Sequence, residues 1–159
     1  MRKRAFWIAV AFLAVLILLL RLTVFHTLRI EGSSMETTLT SGDIVLVTRL
    51  TSPPGRFDIV ECRFPGRSDT YIKRVIGLPG ENISLSGYSL TIDGETRLES
   101  YLSSPAEDFS ISLGEDEYLV LGDNRSESYD SREEDMGLLG SKDFIGRVQL
   151  VLYPFRIIE

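Results

Sequence analysis

Histidine and cysteine are almost missing from this chain, with His26 and Cys62 the sole residues of their kinds. A lone cysteine excludes an intrachain disulfide and a thiolate metal cluster. A lone histidine at the end of a long apolar run offers no obvious Ser-His-Asp arrangement, so a serine nucleophile here calls for a lysine base. Pro79-Gly80-Glu81 lacks the lysine-bearing pattern of a phosphate loop, and no dinucleotide fingerprint is present. Acidic residues are absent from residues 1–28, which hold four of the 17 basic residues and none of the 23 acidic ones. The remainder has 13 basic against 23 acidic residues, a formal net of −10. Such a balance excludes the electrostatic footprint of nucleic-acid binding and a polybasic membrane patch. Carboxylates at Asp123, Asp130 and residues 133–135 do not match a calcium loop, and neither a metal nor another cofactor is expected.

One long hydrophobic run is present. Residues 5–20 are 16 unbroken apolar residues, and residues 5–25, 21 in all, continue past Arg21. Sixteen residues are marginal for roughly 30 Å of hydrocarbon, whereas the longer stretch suffices if Arg21 snorkels to the headgroups. Arg2-Lys3-Arg4 before an apolar run also fits a secretory signal peptide, but no A-x-A-like cleavage site follows Leu20. The segment is therefore read as an uncleaved anchor, with its basic start on the cytoplasmic side. This divides the chain into a cytoplasmic start and transmembrane anchor (1–26) and one extracytoplasmic domain (27–159). His26 is placed at the bilayer interface.

Beyond the anchor the pattern is strand-like. Residues 43–47, 58–62, 70–76, 117–121 and 144–153 are rich in β-branched and aromatic residues, separated by turns such as Ser52-Pro53-Pro54-Gly55 and Leu78-Pro79-Gly80. The expected fold is mainly β: antiparallel sheets forming a folded or partly closed barrel, preceded by one transmembrane helix. Residues 87–109 read as less regular, with a hairpin over 90–96, and residues 126–135 as a polar loop.

Three places carry candidate chemistry. Ser33 and Ser34 follow Gly32, which permits a sharp bend that exposes a hydroxyl, and local sequence does not choose between the two serines. Lys73 lies in a strand-like run whose alternation puts it on one face with Tyr71 and Val75. Pressed against them it would lose hydration, and its pKa would fall toward that of a usable base. The polar stretch 122–132 follows an apolar strand, a common place for functional loops. Within it Ser128 can bond the lysine amine and aim its lone pair at Ser34, while Asp123 and Asp130 can pair with arginines.

Taken together these segments resemble the bacterial type I signal peptidases. The likeness runs from the anchor through Gly32-Ser33-Ser34-Met35 and Ser41-Gly42-Asp43 to Tyr71-Ile72-Lys73-Arg74-Val75-Ile76-Gly77-Leu78-Pro79-Gly80-Glu81. It continues through the Gly122-Asp123-Asn124-Arg125 signature to a closing strand over 140–148. The resemblance implies that Ser34 is the nucleophile, Lys73 the general base and Ser128 the serine that orients it. It implies an ion pair between Asp123 and Arg74, with Asp130 and Arg132 supporting the same loop. Gly32 stands where some members have a serine oxyanion donor, leaving the Ser34 backbone N–H as the main candidate. Thr37 stands where proline is common, and Glu81 where aspartate is common. The chain resembles a compact member without a large inserted domain.

The implied reaction is removal of N-terminal signal peptides from secretory preproteins, after small residues at −1 and −3, through an acyl-enzyme. Ile30, Met35, Leu39, Val75 and Ile76 are candidates for the small pockets. The implied surroundings are the lipid bilayer of the bacterial cytoplasmic membrane and the neighbourhood of the export translocon. Two alternatives stand beside this reading: a serine-lysine peptidase dedicated to one precursor, and an inactive β-rich membrane scaffold. A self-cleaving repressor fits poorly, because residues 1–28 encode an anchor instead of a DNA-binding domain.

Overall fold

The computed structural model describes residues 2–158, with the side chains of residues 2 and 20–23 outside that description. Helix α1 (Arg2–Val24) has 23 residues and no glycine or proline to interrupt it. Phe6, Trp7, Ile8, Phe12 and Leu13 on it are all more than half exposed. Among the described residues no helix is long and apolar enough to cross a membrane. The apolar stretch whose side chains are described ends at residue 19. The anticipated snorkelling of Arg21 falls on a side chain outside the described residues.

Strand β1 (Phe25–Arg29) begins directly after the helix, so His26 lies in a sheet, opposite Val47. Its Nε2 is 2.6 Å from Glu61 Oε2. The larger sheet comprises β1, β2 (Ile44–Arg49), β3 (Ile59–Cys62), β4 (Tyr71–Gly77), β9 (Leu119–Leu121), β10 (Phe144–Tyr153) and β11 (Arg156–Ile157). Its order is β1-β2-β10-β3-β4-β9, with β11 paired to β10, and every pairing is antiparallel. In β2 the alternation of Ile-Val-Leu-Val buries Val45 and Val47 completely, beside Val151 and Leu39. Burying a side chain of this size contributes about 1.5–3 kcal/mol.

A second sheet, of order β7-β6-β5-β8, occupies the stretch expected to be less regular. It contains β5 (Asn82–Gly87), β6 (Ser89–Ile92), β7 (Glu95–Leu98) and β8 (Ala106–Ser112). The β6–β7 hairpin turns at Asp93-Gly94, within the hairpin read from the sequence. Ile83 and Leu85 alternate with serines, and with Leu90 and Ile92 they bury against Ile76, Leu119 and Leu121 of the larger sheet. The larger sheet does not form a fully closed barrel. β1 and β9 are the two ends of an open path, and the second sheet packs against Ile76 of β4 and Leu119 and Leu121 of β9.

Candidate active site

Gly32 turns the chain out of the segment after β1 with φ of +87°, a conformation that glycine adopts without a Cβ penalty. A compact turn follows, in which Glu36 N–H donates to Ser33 O at 3.1 Å and Leu39 N–H to Met35 O at 2.8 Å. Met35 and Leu39 are buried and pin this turn to the core, while Ser34 stays half-buried above it. The turn is also held from the far side of the site. Asn124 N–H donates to Ser34 O at 3.0 Å, and Asn124 Nδ2 donates to Ser33 O at 3.3 Å.

Lys73 projects from β4 and is only 2% exposed. Its Nζ donates to Ser128 Oγ at 2.9 Å. Burial lowers its pKa from the ordinary lysine value, because the ammonium loses hydration; Asp130 and Asp123 oppose the shift and Arg132 adds to it. The nearby Cys62 thiol is pushed up to about 12 by burial, so it stays protonated and offers no competing thiolate.

Ser34 and Lys73 line one cleft of about 360 Å³, formed between residues 28–32 and 70–73. Ile30 and Met35 line it too, whereas Leu39, Val75 and Ile76 sit fully buried in the core and do not. Leu28 and Arg29 of β1 and Tyr71, Ile72 and Lys73 of β4 are strand residues lining the cleft, an arrangement that can accept an extended peptide.

The loop after β9 supplies the remaining polar groups. Arg74 binds Asp123 through two parallel bonds, Nε to Oδ1 at 2.8 Å and Nη2 to Oδ2 at 2.6 Å. Thr38 Oγ1 donates to the same carboxylate at 2.6 Å, and Arg74 Nη1 donates to Phe57 O at 3.0 Å. Asp130 accepts from Gly122 N–H at 3.0 Å and from Arg132 Nε at 2.8 Å, while Arg132 Nη2 reaches Ser128 O at 3.3 Å. The loop thus bends back on itself and presents Ser128 to Lys73. Gly122 lies so close to this junction that a Cβ built there would be 2.2 Å from Ser128 Oγ and 2.4 Å from Ser34 O.

Ser34, Lys73, Ser128, Asp123, Arg74, Asp130 and Arg132 therefore come together where the turn after Gly32, strand β4 and the loop after β9 meet. Sequence reasoning missed Thr38 and Asn124. Asn124 was visible as part of the loop signature, but nothing in the sequence showed that its amide reaches the Ser33-Ser34 turn. Among the described residues no group of His, Cys, Asp and Glu side chains is arranged to hold a metal ion.

A buried lysine amine and a half-buried serine in one peptide-sized cleft are the parts of a hydrolase. The family described as signal peptidase, peptidase S26, matches residues 3–153, and the chain belongs to that family. It is a serine endopeptidase of the signal peptidase I type. A signal peptidase I P of Bacillus subtilis subsp. natto is 35% identical, over 92% of this chain and 87% of the relative. A signal peptidase I of Bacillus licheniformis is 34% identical over 96% and 90%. The crystal structure of a signal peptidase I from Enterococcus faecalis V583 superposes with a TM-score of 0.55 at 31% identity, covering 60% of this chain and 97% of that one.

Proposed function

We propose that this chain removes signal peptides from secretory preproteins with Ser34 as nucleophile and Lys73 as general base. The observation that carries the reading is the burial of Lys73 in the same cleft as Ser34, with its amine already bonded to Ser128. A desolvated lysine is neutral at lower pH than a free one, and a neutral amine can accept a hydroxyl proton.

In this mechanism neutral Lys73 takes the Ser34 hydroxyl proton as Oγ bonds to the scissile carbonyl carbon. The Ser34 backbone N–H is the main donor to the oxyanion that forms. As the intermediate collapses, the C–N bond breaks and the Lys73 ammonium returns its proton to the departing amine, leaving a serine ester. Lys73, neutral again, takes a proton from water as that oxygen attacks the ester. The C–Oγ bond then breaks, and Ser34 Oγ recovers the proton from Lys73.

The substrate lies extended between residues 28–32 and 70–73 and exchanges main-chain hydrogen bonds with them. Ile30 and Met35 in the cleft wall support a limit on side-chain size, in keeping with small residues at −1 and −3. Helix α1, whose described apolar side chains are largely exposed, supports a role as a single membrane anchor. Its basic start at Arg2, Lys3 and Arg4 favours the cytoplasmic side for the N-terminus and the outer side for the peptidase domain. Anchoring would hold enzyme and precursor to one surface, beside the translocon that delivers preproteins, and so raise their encounter rate.

The test is cleavage of a signal-peptide-bearing preprotein by wild type, Ser34→Ala and Lys73→Ala, with mapping of the new N-terminus. Both variants should fold and leave the precursor intact. Processing by either at the wild-type rate would remove that residue from the mechanism.

A further inference from the structure

The loop that carries Ser128 is gripped from the smaller sheet. After β7 the chain crosses from that sheet toward the loop, and its first residue on the way is Glu99, 4% exposed. Arg125 meets it with both terminal nitrogens, Nη1 donating to Oε2 at 2.9 Å and Nη2 to Oε1 at 2.5 Å. Both side chains are buried, at 0% and 1% exposure. Arg125 Nε donates in turn to Gly122 O at 3.0 Å, the glycine packed against Ser128 and the Ser34 carbonyl.

The same carboxylate reaches the Asp123 pair by a second route. The Tyr101 hydroxyl donates to Glu99 Oε1 at 2.5 Å, and the Tyr101 ring lies under the Arg74 guanidinium, 4.1 Å from its centroid. A guanidinium over a ring face at this distance is attracted to it. Arg125, Glu99, Tyr101, Arg74 and Asp123 therefore form a continuous chain of contacts. Two residues of the crossing segment add direct ties. Ser103 Oγ donates to Glu36 O at 2.7 Å, in the nucleophile turn. Ser104 Oγ donates to Asn124 Oδ1 at 2.9 Å and accepts from Ser126 N–H at 3.0 Å.

We infer that Glu99 is a positioning residue for the peptidase reaction: through Arg125 and Gly122 it fixes the backbone on which Ser128 and Asn124 aim Lys73 and Ser34. The inference rests on the Ser34-Lys73 reading. A buried ion pair is weak evidence of stabilisation, since apolar residues of similar volume often serve as well or better. What this pair supplies is direction, because the bidentate fork holds Arg125 in one orientation against the Gly122 carbonyl. Neither Glu99 nor Arg125 lines the Ser34-Lys73 cleft. Their loss should accordingly act on turnover and leave substrate binding alone.

The experiment uses the full chain in detergent micelles with a signal-peptide-bearing preprotein. kcat and KM are measured for Glu99→Gln, Glu99→Asp and Ser104→Ala and expressed per folded molecule from circular dichroism and urea unfolding. Misplacing reacting groups by about 1 Å can cost about 100-fold. Glu99→Gln should lose about 10- to 100-fold in kcat with KM unchanged. Glu99→Asp, which keeps the charge, should recover part of that loss, and Ser104→Ala should show a smaller loss of the same kind. Wild-type kcat in folded Glu99→Gln, or a loss that falls on KM, overturns the inference. If Glu99→Gln does not fold, Ser104→Ala decides: reduced kcat at constant KM supports positioning and wild-type kcat overturns it. Ser34→Ala and Lys73→Ala run in parallel, so a failure of the dyad appears as their retained cleavage and is separable from a failure of Glu99.

Discussion

Lys73 Nζ donates to Ser128 Oγ across 2.9 Å, with both side chains buried. A lysine amine ends four rotatable bonds, so burial alone does not fix where its lone pair points. One N–H committed to Ser128 restricts that direction, and the cleft side toward Ser34 remains for the lone pair. Ser128→Ala should keep the fold and KM but lower kcat by about 100-fold, the scale of a misaligned proton acceptor. Steady-state kinetics on a preprotein check this. Undiminished kcat would show that Lys73 is aimed by packing alone.

The lowered pKa of Lys73 predicts two pH effects. Because the base must be neutral, kcat/KM should rise with pH through a limb that lies below the ordinary lysine value of about 10.4. Stability should follow the same group. Between its lowered folded pKa and about 10.4 the unfolded chain binds a proton that the folded chain does not, so unfolding free energy rises with pH there. Lys73→Met removes this contribution while keeping most of the side-chain length. Urea titrations of both proteins across that window should show wild type gaining stability on the variant as pH rises. A constant difference would mean that Lys73 titrates like a lysine in water.

The Asp123-Arg74 pair makes a different prediction. Asp123 is fully buried and Arg74 nearly so, and the carboxylate also accepts from Thr38. Asp123→Asn preserves shape but leaves the guanidinium buried without its counter-charge. Removal of one partner from a buried pair costs about 3–5 kcal/mol. Urea unfolding should therefore show a loss of that size, larger than the loss from Thr38→Val, which removes one hydroxyl and no charge. Equal losses from the two variants would show that the pair contributes nothing beyond its hydrogen bonds.

Much of the candidate site was legible because its residues occur in short segments. Ser34 after Gly32, Lys73 in an alternating strand and Ser128 in a polar loop each carry a local signal of turn, burial or hydrogen bonding. The strands β2, β3 and β4 were readable for the same reason, since their β-branched and aromatic composition is local, although only β2 alternates in burial. Closure was not. Closure depends on contacts between segments distant in sequence, such as Ile83, Leu85 and Leu90 packing against Ile76 and Leu121. The weak signal over residues 87–109 has a similar cause, because all four residues of β7 are exposed and give no alternation. Glu99 and Arg125 are 26 residues apart, and neither has a local pattern that announces the other. Among the candidate pocket residues, Leu39, Val75 and Ile76 were apolar and near the right motifs, but apolar character cannot distinguish a cleft wall from the core beneath it.

Gly122 offers the sharpest steric test. Its backbone needs no left-handed conformation, so alanine there is opposed only by space. The added methyl would sit 2.2 Å from Ser128 Oγ and 2.4 Å from the Ser34 carbonyl, both well inside contact distance. One neighbour orients the proposed base and the other belongs to the proposed nucleophile, so relief in either direction moves a group that the proposed mechanism needs. Gly122→Ala should lower kcat by about 100-fold or more, at a stability cost of about 1–3 kcal/mol for overpacking. Gly114→Ala is the matched control, since the nearest atoms to its methyl would be those of the Glu117 side chain on an exposed turn. Preprotein cleavage and urea unfolding of both variants separate the outcomes. If Gly122→Ala cleaves as fast as Gly114→Ala, the loop has room to move without disturbing Lys73 or Ser34, and the close contact around Ser128 is not what sets the rate.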